Sequence, residues 1–118
     1  PLEVLAPARS ARSLGENDRS LVLRAGQAGA RLVVLGDLAA HGEEVLVASR
    51  VPLEPEAAMV SHHGSVTGTS PELLRLVDPQ WALVSAGFAN RFGHPHPDVR
   101  VVVRCLPRTA RRRRSWNT

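Results

Sequence analysis

The 118-residue chain has no lysine, no isoleucine and no tyrosine, and all 15 of its basic residues are arginine. That skew fits G+C-rich coding and speaks of a genome rather than a function. Aromatics are almost as scarce: Trp81, Trp116, Phe88 and Phe92 are all there are. A core must therefore be assembled from valine, leucine and alanine, and the 43% apolar content is enough to build one. Cys105 stands alone, which excludes an intrachain disulfide and leaves the redox compartment unread. No apolar run approaches the ~18–20 residues that span a bilayer. The N-terminus also lacks the charged and apolar regions of a signal peptide. Taken by itself the chain reads as soluble, without membrane contact. Its length allows one domain or part of one.

Acid is missing from one stretch. Residues 104–114 hold six arginines (Arg104, Arg108 and Arg111 to Arg114) and no carboxylate. The other nine arginines face 11 acidic residues, so the net charge of +4 belongs to the tail and the body is mildly acidic. Three regions follow: residues 1–16, a loop or incomplete N-terminal edge; residues 17–103, the folded body; and residues 104–118, an arginine-rich disordered tail. There is no internal repeat.

Within the body, Ser20–Arg24 and Arg31–Leu35 are short apolar runs separated by Gly26 to Gly29, the pattern of a hairpin. Gly42–Ser49 fits a helix with Glu43 and Glu44 in its first turn, and the prolines of VPLEPE end it. Ala57–Ser61 reads as a strand. Ser70-Pro71-Glu72 opens a helix through Val77, with serine as N-cap and proline as first residue. Trp81–Ser85 is a further strand. Pro97-Asp98 can start a last helix, although Val99 and Val101 to Val103 favour strand locally. The order β-β-α-β-α-β-α predicts an α/β fold with a layered sheet.

Histidine is where the sequence is rich. Four of the five histidines fall in two short loops, SHHGS (61–65) and RFGHPHP (91–97). Asp37 follows the RLVVLG strand, His62 and His63 follow AAMVS, and His94 and His96 lie beyond WALVSAG. Strand ends on one side of a layered α/β fold converge on a ligand-binding crevice. A carboxylate with several imidazoles there makes a donor set for zinc, manganese or iron. Each residue also has a plainer role. An Asp after a strand and a glycine is ordinarily a turn or cap residue, and HPH between prolines makes a rigid turn. Yet adjacent histidines gain nothing from packing in a polar loop, and a turn does not need histidine at both ends. His41 reads as a solvated surface residue. Ser70 reads as a cap, and Ser65 as a hydrogen-bond partner of substrate or of an imidazole.

Together NDRSLVL (17–23), RLVVLGDL (31–38), SHHGS, SPELLRLVDPQWALVSAG (70–87) and NRFGHPHPDV (90–99) resemble the second half of a metallo-β-lactamase-fold domain. The resemblance covers roughly residues 17 to 99 and is nearest to the domain of ComEC-type competence proteins, which move transforming DNA across the bacterial inner membrane. It implies a partial αββα sandwich, with two divalent metal ions (zinc or manganese) at one edge. By motif, Asp37 is the bridging, catalytic carboxylate. His63 ligates the second metal while the catalytic His62 faces substrate phosphate, or the two are exchanged. Asn90, Arg91, His94 and His96 line the site or hold substrate, with Arg91 placed to neutralise a phosphodiester.

The departures are as informative. The family's HxHxDH ligands are absent, so the ligand set is incomplete, and so are the transmembrane helices of the parent, which lies in the inner membrane with this domain soluble. After HPHPDV the arginine-rich ending departs from the family's helix and strand, which suggests a truncated or frame-shifted reading frame. The expected function is therefore a fragment of a DNA or other phosphodiester hydrolase, inactive alone and lacking its N-terminal half. The competing readings are nucleic-acid binding through the arginine tail without chemistry, and a non-functional gene remnant. Other members of the fold cleave lactams, thioesters, lactones or phosphocholine esters.

Overall fold

A computed structural model describes residues 1–7 and 13–104 of the chain. It opens with a strand, β1 (Leu2–Ala6), within the segment read as a loop or incomplete edge. Its backbone partner is distant in sequence: β1 pairs antiparallel with β2 (Val22–Gln27), setting Leu2 beside Ala25 and Val4 beside Leu23. A two-residue turn at Ala28 and Gly29 leads into β3 (Ala30–Val34). Gly29 takes φ +89° there, a conformation glycine adopts without penalty. The Glu56 carboxylate accepts the Gly29 amide at 3.1 Å and the Arg31 amide at 2.5 Å, which fixes this end of the hairpin.

From β3 the chain alternates helix and strand. Helix α1 spans Ala40–Ser49, starting two residues before the sequence boundary, with the Glu43 amide donating to the Ala39 carbonyl. Strand β4 (Ala57–Met59) is followed by a 3-10 turn at Ser61–Gly64. Helix α2 (Pro71–Val77) starts as its sequence requires: the Ser70 hydroxyl accepts the Leu73 amide at 3.2 Å and proline occupies the first turn. Strand β5 (Trp81–Leu83) and helix α3 (Pro97–Arg104) complete the order, so helix wins over the local strand preference of the valines after Asp98.

The strands form one five-stranded sheet in the order β1-β2-β3-β4-β5. The first three pair antiparallel, and β3, β4 and β5 pair parallel. The mixed α/β class matches the sequence reading. The described residues form a single sheet; a second sheet of the expected sandwich is not among them. The arginine-rich tail lies outside the described residues from position 105 onward.

The core occupies one face of this sheet. Val22, Val33 and Ala58 pack with Leu46 of α1 and with Leu73 and Val77 of α2, all buried. The opposite face is also apolar. Cross-strand pairing aligns Val4 with Leu23, Leu23 with Val34, Val34 with Met59 and Met59 with Leu83 along one row. Leu2, Ala25, Leu32, Ala57 and Trp81 form the next. This face is only partly covered: Leu2 is 69% exposed, Val4 64%, and Trp81 and Leu83 44% each. A sheet with one solvated face ordinarily alternates apolar inward and polar outward, and this one does not.

Candidate functional site

The parallel strands β3, β4 and β5 all end on one side, and the polar residues after them meet there. Gly36, two residues past the end of β3, has φ +57°, and a side chain on it would press within 2.9 Å of the Leu21 carbonyl oxygen. This tight bend exposes Asp37, and the Gly36 carbonyl accepts the His62 amide at 2.9 Å. Across that link, His63 Nε2 lies 3.3 Å from Asp37 Oδ1. The other imidazole nitrogen of His63, Nδ1, lies 2.7 Å from the Ser85 carbonyl oxygen beyond β5. A carbonyl only accepts, so Nδ1 carries a proton and Nε2 is the atom turned to the carboxylate. In the neutral ring that leaves a nitrogen lone pair facing a carboxylate oxygen. The contact becomes attractive when a cation, a proton or a metal ion, sits between them.

The backbone here is strained. His62 (φ 46°, ψ 44°), His63 (φ 55°, ψ 20°) and Gly64 (φ 77°) are consecutive left-handed residues. For a residue with a Cβ this costs roughly 1–2 kcal/mol, and such strain clusters at functional sites. It turns the two imidazoles to different neighbours. His62 Nδ1 lies 2.9 Å from the Thr67 hydroxyl, which in turn is 3.0 Å from the Ser65 hydroxyl. The His62 ring tilts toward His94 at 6.4 Å between centroids. Ser65 therefore reaches an imidazole through Thr67.

Glu43 holds this loop in place, and sequence reading assigned it only to the first turn of a helix. It is 1% exposed. Its carboxylate accepts the Ser61 hydroxyl at 2.6 Å, the Ser70 amide at 2.7 Å and the Thr69 amide. Ser61, itself fully buried, immediately precedes the histidine pair. A glutamate that caps its own helix and one that anchors a loop 18 to 27 residues away look alike in sequence. The neighbouring Gly42 meets a different segment, since a Cβ there would lie 2.7 Å from Asp18 O, so it carried no signal of the Glu43 contacts.

The second histidine loop packs onto the first. The His96 amide donates to the Gly64 carbonyl at 2.9 Å. The Asn90 side chain is spent within its own loop, donating to the Gly87 and His94 carbonyls at 3.0 and 2.8 Å and accepting the His94 amide at 2.9 Å. His94 stacks on Phe92 at 5.6 Å, and the Arg91 guanidinium lies 4.7 Å from the Phe92 ring centre. His94 Nδ1 is buried with no hydrogen-bond partner among the described residues. His96 Nδ1 turns instead to Asp98, accepting its amide at 3.3 Å. His41 is exposed and meets Glu44 at 3.2 Å.

The metals that the resemblance implies fit this corner in part. Asp37 and His63 offer two donors, and the Ser85 carbonyl orients the imidazole as a backbone acceptor does for a metal-bound histidine. A third does not arrive: among the described residues no group of three or more His, Cys, Asp or Glu side chains could hold a metal ion. A catalytic zinc uses three protein ligands, so these residues do not close a site by themselves.

The chain is thus a mixed α/β unit with a carboxylate–imidazole corner at the ends of its parallel strands. It is similar to competence protein ComA of Neisseria gonorrhoeae, 39% identical over 103 residues. It is also similar to ComE operon protein 3 of Bacillus subtilis, 34% identical over 84 residues, and to recombination protein 2 of Haemophilus influenzae, 30% identical over 97. These stretches cover 86%, 71% and 82% of this chain but 15%, 11% and 12% of the relatives. The relatives support a competence-protein family, with this chain corresponding to a small segment of its members. No family model matches the chain, and no solved structure does. Among the described residues no helix is long and apolar enough to cross a membrane.

Proposed function

We propose that the chain is the second half of a metallo-β-lactamase-like domain in a ComEC-type competence protein, and that it contributes to metal-dependent hydrolysis of phosphodiesters during DNA uptake. The observation that carries this reading is the Asp37–His63 contact at 3.3 Å, with the outer nitrogen of His63 bound to the Ser85 carbonyl. The corner supplies two donors, and the remaining ligands come from chain outside these 118 residues. His62 faces substrate phosphate, and the exposed Arg91 offers a guanidinium to the same charge. The αββα arrangement draws support from the partly covered apolar row Val4–Leu23–Val34–Met59–Leu83, since an apolar second face is what a sheet inside a sandwich presents to its partner sheet. On this reading the chain alone is inactive.

The test is zinc and manganese binding by elemental analysis and titration, beside hydrolysis of a simple phosphodiester such as bis(p-nitrophenyl) phosphate. Weak metal binding lost in the Asp37→Ala, His63→Ala double variant, without turnover by the chain alone, is the expected result. Binding that the double variant retains sinks the assignment of the corner.

A further inference from the structure

The proposed site is joined by an unusual piece of surface. Two of the chain's four aromatic residues, Phe88 and Phe92, lie on the loop after β5, and both face solvent: Phe88 is 103% exposed and Phe92 64%. Single exposed apolar residues are ordinary. Here, in a chain with so few rings, two stand out on one loop among cationic and imidazole groups. Arg91 lies 4.7 Å from the Phe92 ring centre, and His94 is nearly parallel to that ring, 16° between planes at 5.6 Å. From Pro79 to Pro97 the sequence carries no carboxylate, while Arg91, His94 and His96 all fall inside that span. The loop is also continuous with the corner: His94 approaches His62, and the Ser85 carbonyl at its start holds His63.

We propose that the loop from Phe88 to His94 is a stacking platform for the bases of single-stranded nucleic acid. The inference rests on the phosphodiester reading of the adjacent corner and specifies the form of its substrate. Planar rings exposed beside cations bind single strands because every base has a π-face, which makes such binding tolerant of sequence. Inside a duplex those faces are occupied by neighbouring base pairs, so the platform discriminates against double strands. Arg91 meets the phosphate charge while Phe88 and Phe92 take the bases. Rings and cationic groups interleave in this loop.

The experiment measures fluorescence anisotropy of a labelled deoxythymidine 15-mer, an abasic strand of equal length and a duplex, each with the full chain. The abasic strand carries the same phosphates, so any contribution of Arg111 to Arg114 cancels in the comparison. The expected result is binding of the thymidine strand at least about 5-fold tighter than the abasic strand or the duplex. Phe88→Ala and Phe92→Ala each reduce that preference, and Phe92→Trp keeps it. Both rings are solvent-facing, so the alanine variants leave the core intact, and circular dichroism verifies this. Equal binding of thymidine and abasic strands overturns the proposal. So does a duplex bound as well as the single strand, or alanine variants that alter self-association but not strand preference, which would assign the rings to a second copy of the chain. The metal-binding loss of the Asp37→Ala, His63→Ala variant is read separately, so the corner and the platform fail or stand independently.

Discussion

Gly64 locks the two histidine loops together: its carbonyl accepts the His96 amide at 2.9 Å, and a methyl group on its α-carbon would lie 2.7 Å from Pro95 Cβ. Its φ of +77° adds a second requirement for glycine. Gly64→Ala should destabilise the chain by about 1–3 kcal/mol from backbone strain alone, with the Pro95 clash in addition. It should also part His62 from His94. Thermal unfolding measures the first effect, and loss of the nuclear Overhauser contact between the two imidazoles measures the second.

Glu43 is the buried anchor of the first loop. Glu43→Ala strands the Ser70 amide, a desolvation penalty of about 1–3 kcal/mol, and leaves the Ser61 hydroxyl and the Thr69 amide with only their mutual contacts at 3.1 and 2.9 Å inside a buried cavity. Urea unfolding should show a midpoint far below wild type, or no cooperative transition at all. Glu43→Gln keeps the shape and one acceptor oxygen but turns an NH2 toward donors, so it should fall between the two. A Glu43→Ala variant as stable as wild type would remove the anchor role.

The partly covered sheet face yields a prediction with opposite signs in two settings. Leu83→Glu in this chain should change stability by no more than about 0.5 kcal/mol, as surface substitutions do, and should reduce self-association measured by sedimentation. Within a longer protein that closes the sandwich, the same change would bury a charge against an apolar layer and destabilise by several kcal/mol. A large loss of stability in the short chain would show that this face is already covered.

Ser70→Ala removes the side-chain acceptor for the Leu73 amide at the start of α2. The expected cost is about 1 kcal/mol, visible as a lowered urea midpoint with unchanged slope. Ser70→Asp, another good cap, should restore it.

Much of this was legible in the chain itself, where the signal is local. Serine followed by proline and glutamate fixes the start of α2, because a cap and a preset φ act within one turn. The run RLVVLGD specifies a strand and its exit bend, because only glycine takes the left-handed turn at Gly36 cheaply. The grouping of Asp37 with the SHHGS pair also follows from order alone, once parallel strands are expected to end on one side. The relation of the chain to competence proteins was likewise carried by short motifs in a fixed order.

Tertiary structure decided what depends on partners far along the chain. LEVLA becomes a strand because β2 supplies its hydrogen bonds, and nothing within residues 1–7 announces that partner. Which histidine meets the carboxylate was open in the sequence, since two adjacent imidazoles are interchangeable there. The left-handed turn at 62–64 and the Ser85 carbonyl turn His63 toward Asp37 and His62 toward Thr67. Glu43 is an anchor rather than a cap because α1 packs its first turn against the Ser61–Ser70 loop. Composition and local spacing set the elements and their polar ends; the pairing of distant backbone groups chose which side chains face one another.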